Sequence, residues 1–178
     1  DLKMATEDNH QPHRYAKWMV FAAWLCVIWL LVSVFNHLLE DQYNPNQHIN
    51  YDVTRAGTVI TLEQNKQGHY ILNGQINRQP VLFLLDTGAT TVSIPERIAD
   101  RLNLPKGQRY PVQTANGSVF VTDTQLNSLS IGPIELQNIR ANINPGMQSD
   151  KILLGMNVLK DLELTQLNNQ LTIKVPTL

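Results

Sequence analysis

Apolar residues follow two different patterns along the chain, one before residue 40 and one after residue 57. Residues 18–35 form an uninterrupted run of 18 uncharged side chains without a polar stripe. A helix rises about 1.5 Å per residue, so this run alone covers about 27 Å, close to the thickness of a hydrocarbon core. The pattern therefore predicts a transmembrane helix over residues 16–39.

A buried core helix and a cleaved signal peptide are the alternatives for this segment. A core helix normally shows a polar stripe, and this run has none. A signal peptide has a shorter apolar stretch that leads into small residues at a cleavage site, whereas this run ends in FNHLLED. The sequence favours a retained anchor.

The charges that flank the run predict its orientation. Lys3, Arg14 and Lys17 precede it, and the first basic residue beyond it is Arg55. Basic residues stay on the cytoplasmic side, so we expect residues 1–15 to form a short cytoplasmic tail. The polar segment 40–56, rich in Asn and Gln, is interpreted as a linker to a domain across the membrane.

From residue 57 to residue 178, short apolar runs alternate with turn residues, which predicts an all-β domain. Residues 58–62 and 70–76 flank a polar turn and are interpreted as a hairpin. Asn116 and Gly117 separate segments 111–114 and 118–122, the strongest hairpin signal in the chain. Pro95 opens a short predicted helix over residues 96–102. Further strands are predicted at residues 81–85, 91–94, 126–131, 134–141 and 171–175.

Composition and residue spacing bear on three kinds of feature: nucleic-acid binding, disulfides and metal sites. The chain has 14 basic and 15 acidic residues and a net charge of -1, so it lacks the electrostatic footprint of a nucleic-acid-binding protein. Cys26 is the single cysteine, which excludes an intrachain disulfide. None of the five histidines has metal-ligand spacing with another candidate ligand, and we expect neither a metal site nor a cofactor.

The candidate chemistry lies at Asp86, which follows the apolar residues 83–85 and precedes Thr87 and Gly88. Aspartate is depleted in strands, so its place at a strand end is unusual. Gly88 allows a sharp turn and Thr87 can hydrogen-bond locally to fix it. The result is a carboxylate on a rigid apolar base, although the same tripeptide also suits an ordinary turn.

Segment 83–90, FLLDTGAT, resembles the active-site loop of the aspartic proteases. Segment 152–155, ILLG, resembles the hydrophobic-hydrophobic-glycine element that packs behind that loop, and residues 113–120 stand where a flap hairpin is expected. The resemblance covers about residues 57–175 and is strongest to bacterial single-pass retropepsin-like proteases. It implies an all-β, retropepsin-like acid-protease half-barrel with a short helix, preceded by one transmembrane helix.

The resemblance implies that Asp86 is the catalytic residue and that Thr87, Gly88 and Ala89 complete the active-site loop. An aspartic protease needs two aspartates around one water, one ionised and one protonated. This chain has a single Asp-Thr-Gly, which implies a homodimer with Asp86 of both chains at the two-fold axis. The implied substrate is a polypeptide, cleaved without a cofactor.

Further roles follow from the same resemblance. Ala115, Asn116 and Gly117 correspond to the flap tip, and Leu154 and Gly155 to the structural support behind Asp86. The sequence Asn-Gly-Ser at residues 116–118 also fits a glycosylation motif, which we attribute to turn chemistry. Asp150 lies in a polar loop and is interpreted as a solvated residue.

The sequence departs from the retroviral pattern at two positions. Retroviral enzymes commonly carry an ion pair where this chain has Thr90 and Met156, so the retroviral form of the dimer contact is in doubt. A catalytically silent peptide-binding or dimerisation module of the same fold is the main alternative function. A membrane-tethered structural protein is another, but it leaves FLLDTGAT unexplained. For the enzyme, the expected location is the inner membrane, with the protease domain periplasmic or otherwise outside the cytoplasm.

Overall fold

The computed structural model describes residues 12–54, 57–114 and 117–176. The chain divides into two units, Asp1–Glu40 and Asp41–Leu178. The elements, in chain order, are α1 (Pro12–Tyr43), β1 (Asn50–Thr54), β2 (Gly57–Glu63), β3 (Ile71–Ile76), β4 (Gln79–Leu85), β5 (Val92–Pro95), α2 (Glu96–Arg101), β6 (Arg109–Thr114), β7 (Gly117–Ile131), β8 (Ile134–Asn144), β9 (Lys151–Leu154), α3 (Met156–Leu159), β10 (Glu163–Leu167) and β11 (Gln170–Pro176).

The apolar N-terminal segment forms one long helix, as predicted. The helix extends beyond the predicted span, from Pro12 to Tyr43, and its part from Lys17 is long and apolar enough to cross a membrane. Asn44 precedes Pro45, and a residue before proline is disfavoured in the helical region, so the helix ends at Tyr43.

The rest of the chain is almost entirely β, which confirms the predicted fold class. One sheet has four strands in the order β1-β2-β11-β10, and the other has seven in the order β3-β4-β9-β5-β8-β7-β6. An additional pairing of β3 with β7 curls the larger sheet back on itself. The predicted hairpin around Asn116 is formed by β6 and β7, and helix α2 follows Pro95 as expected.

Both sheets contribute to one hydrophobic core. In β9, for example, Ile152 and Leu154 are buried and alternate with half-buried residues, so one face of this strand supplies its core side chains. Among the largest fully buried side chains are Ile60, Leu62, Leu72, Phe83, Ile94, Leu126, Ile143 and Ile152. The strand β4, which ends at Leu85 directly before Asp86, contributes Phe83 to this core and is therefore a rigid base.

The predicted hairpin between residues 58–62 and 70–76 is wrong. The polar turn exists, since the Asn65 side chain accepts hydrogen bonds from Gln67 N and His69 N at 3.0 and 2.9 Å. The strands on either side of the turn nevertheless belong to different sheets, because β2 pairs with β1 and β11 while β3 pairs with β4 and β7. A local turn signal does not show which strands pair with each other. Here β1 and the distant strand β11 pair with the two edges of β2, which leaves no edge for β3.

The segment interpreted as a linker, residues 40–56, is folded in most of its length. Strand β1 lies within it, and Asn44 and Asn46 are buried. Asn46 donates from Nδ2 to the carbonyls of Glu63 and Ile71 at 2.9 and 2.7 Å, and its Oδ1 accepts from Glu63 N at 2.7 Å. The Asn46 contact is made by an amide side chain and not by apolar residues. It therefore leaves no hydrophobic periodicity that could reveal it in the sequence.

Candidate active site

Asp86 follows directly after β4, at the point where this strand runs parallel to β9. The Asp86 N–H donates to Leu154 O at 3.1 Å, so the two strands stay paired up to the carboxylate. Its Oδ1 accepts from Gly88 N at 2.9 Å, and its carbonyl accepts from Ala89 N at 3.2 Å. This is an Asx turn, in which an aspartate fixes its own backbone two residues on.

The turn leaves the carboxylate accessible while it fixes its direction. The Asp86 side chain is half-buried, and Thr87 and Gly88 are exposed. The backbone of this loop can therefore approach a ligand or another chain closely. The Asp86 carboxylate is fixed by its position at a strand end and by one N–H donor, that of Gly88. Such a group can act on a bound molecule without first being repositioned.

Leu154 and Gly155 lie directly behind the loop. Leu154 is fully buried at the end of β9. A Cβ on Gly155 would come within 2.5 Å of the carbonyl carbon and oxygen of Thr91. The backbone of the next residues bonds to the loop, since Met156 N donates to Ala89 O at 2.8 Å. Glycine is thus required at this position by the close approach of two backbone segments.

A network of polar side chains also holds the loop, and sequence analysis did not find it. The Asn157 side chain accepts from Val92 N at 3.0 Å and donates to Arg140 O at 2.7 Å. The Asn142 side chain donates to Thr91 Oγ1 and accepts from Ser93 Oγ, both at 2.8 Å. These residues are 17 to 65 positions apart in the chain, so no local pattern connects them.

The predicted flap faces the carboxylate. Thr114 pairs with Gly117 at the end of the β6–β7 hairpin, and Thr114 Oγ1 donates to Gly117 O at 2.8 Å. Gly117 has φ +107°, a backbone conformation that favours glycine. Ala115 and Asn116, the other predicted flap-tip residues, lie outside the described residues.

A cavity of about 340 Å³ lies between the flap and Asp86. Flap residues form one wall, the loop that follows β8 forms another, and Leu153 adds apolar surface from β9. Its lining residues are Asp86, Thr114, Gly117, Ser118, Val119, Asn144, Gly146, Met147 and Leu153. A carboxylate beneath a hairpin, in a cleft with apolar and polar walls, is suited to a reaction on an extended chain.

Asp86 also borders a second cavity of about 300 Å³, on the side of β10 and β11. In both cavities Asp86 is the single acidic residue among the described lining residues. Asp150, the other carboxylate near the ILLG segment, is exposed and accepts a hydrogen bond from Tyr43 Oη at 2.9 Å. It lines a larger cavity of about 690 Å³ that Asp86 does not border. Within this chain, then, the described residues bring no second carboxylate into either cavity beside Asp86.

Thr90 and Met156 lie near the loop, as their positions in the sequence suggested. Thr90 and Met156 are both exposed, and Thr90 O accepts from Asn157 N at 3.0 Å. Neither side chain can ionise, so backbone hydrogen bonds hold this part of the loop, at the two positions where retroviral enzymes commonly have an ion pair. Among the described residues, no group of three or more His, Cys, Asp or Glu is arranged to hold a metal ion.

Comparison with known proteins gives one family. The family model described as gag-polyprotein putative aspartyl protease matches residues 72–161, a segment that contains Asp86, Gly117 and Gly155. An uncharacterized protein of Sinorhizobium sp, encoded in the cobV 5′ region, is 29% identical over 168 residues, which are 87% of this chain and 72% of that protein. An uncharacterized protein of Rickettsia prowazekii (strain Madrid E) is 25% identical over 161 residues, 85% of this chain and 68% of its own length.

A solved structure shares the fold. The crystal structure of a retropepsin-like aspartic protease from Rickettsia conorii has a TM-score of 0.57 and 27% sequence identity to this chain. The match covers 71% of this chain and 95% of that one.

Proposed function

The chain belongs to the gag-polyprotein aspartyl protease family and has the retropepsin-like fold, and from this premise we propose that it is an aspartic endopeptidase that works as a homodimer. One observation supports this most directly. Asp86 lies beneath the flap hairpin, and each chain supplies one such carboxylate to the cavities around it. The second carboxylate of the catalytic pair would then come from a second copy of the chain.

In the proposed reaction, the two Asp86 carboxyl groups hold one water between them. Two carboxylates a few ångström apart do not both ionise readily, so the pair shares a proton. The ionised member accepts a proton from the water, which attacks the scissile carbonyl carbon. The protonated member donates a hydrogen bond to the carbonyl oxygen, and a proton then passes to the leaving amine as the C–N bond breaks.

The surrounding elements have supporting roles in this proposal. The Gly88 N–H keeps the Asp86 carboxylate directed into the cavity, at a distance of 2.9 Å from Oδ1. The flap, with Gly117 at its described end, closes over the substrate and excludes bulk water. The exposed Thr87 lies at the expected two-fold axis, where it braces one loop against the other.

We assign helix α1 to a membrane anchor with its N-terminus in the cytoplasm. The helix from Lys17 to Tyr43 is long and apolar enough to cross a membrane, a property that an anchor shares with a signal sequence. Lys17 and the basic residues before it favour the cytoplasm for the N-terminal side. The protease domain would then lie on the opposite face of the membrane.

The test is cleavage of a peptide library by the full chain in detergent, across a range of pH. We expect Asp86→Asn to abolish cleavage because it removes both members of the catalytic pair at once. Asp52→Asn, an identical change on the exposed strand β1, is the matched control and should cleave normally. A purified Asp86→Asn chain with full activity would overturn the proposal. A wild-type chain that binds peptides and never cleaves them would support the silent module instead.

A further inference from the structure

Two basic side chains of helix α2 lie beside cavities that Asp86 does not border. Arg101 and Asp150 both line the cavity of about 690 Å³, and together with Arg97 and Ile98 they line another of about 250 Å³. We propose that these two cavities form an exosite, a surface that binds an acidic stretch of the polypeptide substrate some residues away from the bond that is cleaved. The proposal rests on the proposed function and names a feature of the substrate that the catalytic pair does not recognise.

Arg97 and Arg101 are exposed, and neither has a carboxylate within 4 Å among the described residues. They stand four positions apart on α2, a spacing that places two side chains on the same face of a helix. The carboxylates of the same helix, Glu96 and Asp100, contact Lys106 instead, at 3.5 and 2.8 Å. Two guanidinium groups are thus available to carboxylates of a bound peptide, with which each can form paired hydrogen bonds.

Asp150 does not neutralise the two arginines. Its Oδ1 accepts a hydrogen bond from Tyr43 Oη at 2.9 Å and lies 3.9 Å from Lys151 Nζ. The Lys151 ammonium also lies 4.4 Å from the centroid of the Tyr43 ring, and 18% of the Lys151 side chain is exposed. Because Asp150 already has a basic partner, the positive charges of Arg97 and Arg101 are left uncompensated. A surface of this kind attracts a segment rich in Asp and Glu.

One face of strands β4 and β9 leads from the flap cavity to the exosite. Leu153 of β9 lines the cavity beside Asp86, and Leu82 of β4 lines the large cavity. Leu153 pairs with Leu84, two positions after Leu82, and side chains two positions apart in a strand point to the same face. Asp150 stands directly before the four-residue strand β9 and Asp86 lies beside its end, so about 13 Å of strand separates them. An extended peptide covers that distance with about four residues.

Binding can be measured apart from catalysis with the full Asp86→Asn chain in an uncharged detergent. The probes are fluorescent peptides that differ only in carrying a run of Glu, Gln or Lys. We expect the Glu peptide to bind about tenfold more tightly than the Gln peptide, with most of the difference lost in about 0.5 M salt. Arg97→Gln and Arg101→Gln made together should bring this ratio close to one, and Arg97→Glu with Arg101→Glu should favour the Lys peptide. Lys66→Gln, in an exposed turn that borders neither cavity, is the matched control and should keep the ratio.

Cleavage by chains with an intact Asp86 then tests the link to the substrate. The same runs are placed about four to eight residues from the cleaved bond, on either side, and the Glu run should lower KM about tenfold at one of these positions. A Glu run that leaves KM unchanged at every position would refute the exosite.

The remaining outcomes separate the exosite from the proposed function. A preference for Glu that survives in the double arginine variants, or a chain that binds the Glu and Gln peptides equally, would refute the exosite whether or not peptides are cleaved. If the arginine variants lose affinity only for vesicles that contain phosphatidylglycerol, the surface binds anionic lipid and the inference is also wrong. A chain that binds the Glu peptide through its arginines and cleaves no peptide would keep the acidic binding surface and overturn the proposed function.

Discussion

Asp86 takes its position from contacts that are mostly local in sequence. Its own side chain accepts from Gly88 N, and its backbone N–H continues the pairing of β4 with β9. Apolar strand residues, an acidic residue and a glycine are enough to specify that turn, which is why the candidate residue can be found from the sequence. The surrounding support is different, because it is made by backbone and side-chain contacts between distant segments.

Gly155 is the residue at which this support can be tested. We expect Gly155→Ala to lower the free energy of unfolding by about 1–3 kcal/mol, because the new Cβ would overlap the Thr91 backbone at 2.5 Å and the loop must shift. Chemical denaturation measures the loss. Gly68→Ala is the control, since its nearest neighbour lies 3.7 Å away and its φ of +83° adds only backbone strain. A Gly155→Ala protein as stable as wild type would contradict the close packing.

The proposed mechanism of two carboxyl groups around one water gives a second expectation at the residue scale. Statine-type inhibitors, whose hydroxyl resembles the tetrahedral adduct, should block cleavage, and a metal chelator should leave it unchanged. Inactivation by the chelator would refute a mechanism based on two carboxylates.

At the scale of elements, the sequence predicts strands well where a turn signal or a buried face marks them, and poorly where a strand is short, exposed and without a turn signal. The hairpin of β6 and β7 has an Asn-Gly turn and alternating side chains, and it is found from the pattern. Strands β1 and β10 were missed, because each stands at an edge of the four-stranded sheet with mostly exposed residues. The pairing of β2 with β11 was also missed, because these strands lie more than 100 residues apart in the chain.

Asn46 connects these elements and provides the test at this scale. Its side chain bonds to Glu63 at the end of β2 and to Ile71 at the start of β3, so one buried amide joins the two sheets. We expect Asn46→Ala to cost about 3 kcal/mol of stability, because it leaves buried backbone groups without partners. Asn50→Ala, on the exposed strand β1, should cost little.

The same contact bears on where the β domain should be separated from the proposed anchor. A fragment that begins at residue 57 lacks Asn46, whereas one that begins at residue 41 keeps it. Thermal unfolding of the two fragments should show the longer one to be more stable. Equal melting temperatures would mean that Asn46 contributes little, whatever its hydrogen bonds.

At the scale of the whole molecule, function depends on assembly if each chain supplies one carboxylate. Excess Asp86→Asn chains should then inactivate wild-type chains by forming hybrid dimers. At a ninefold excess, random pairing leaves about one tenth of wild-type chains with a wild-type partner, so activity per wild-type chain should fall about tenfold. An equal excess of Asp52→Asn chains controls for crowding and for competition between chains. Unchanged activity in the Asp86→Asn mixture would mean that one chain suffices.

The proposed anchor should raise the fraction of chains that are assembled as dimers. Thr90 and Met156 provide no ion pair between chains, so we expect the domain to associate weakly once it is released from the membrane. Two chains confined to one bilayer meet at a higher effective concentration than the same chains in solution. The fragment from residue 41 should therefore lose specific activity on dilution, whereas the full chain in vesicles should keep it at a fixed ratio of protein to lipid. Diluting the full chain with added lipid should lower its activity, because the chains are then spread over a larger bilayer area. If the soluble fragment keeps its specific activity over a thousandfold dilution and sediments as a monomer, the two-chain active site is wrong.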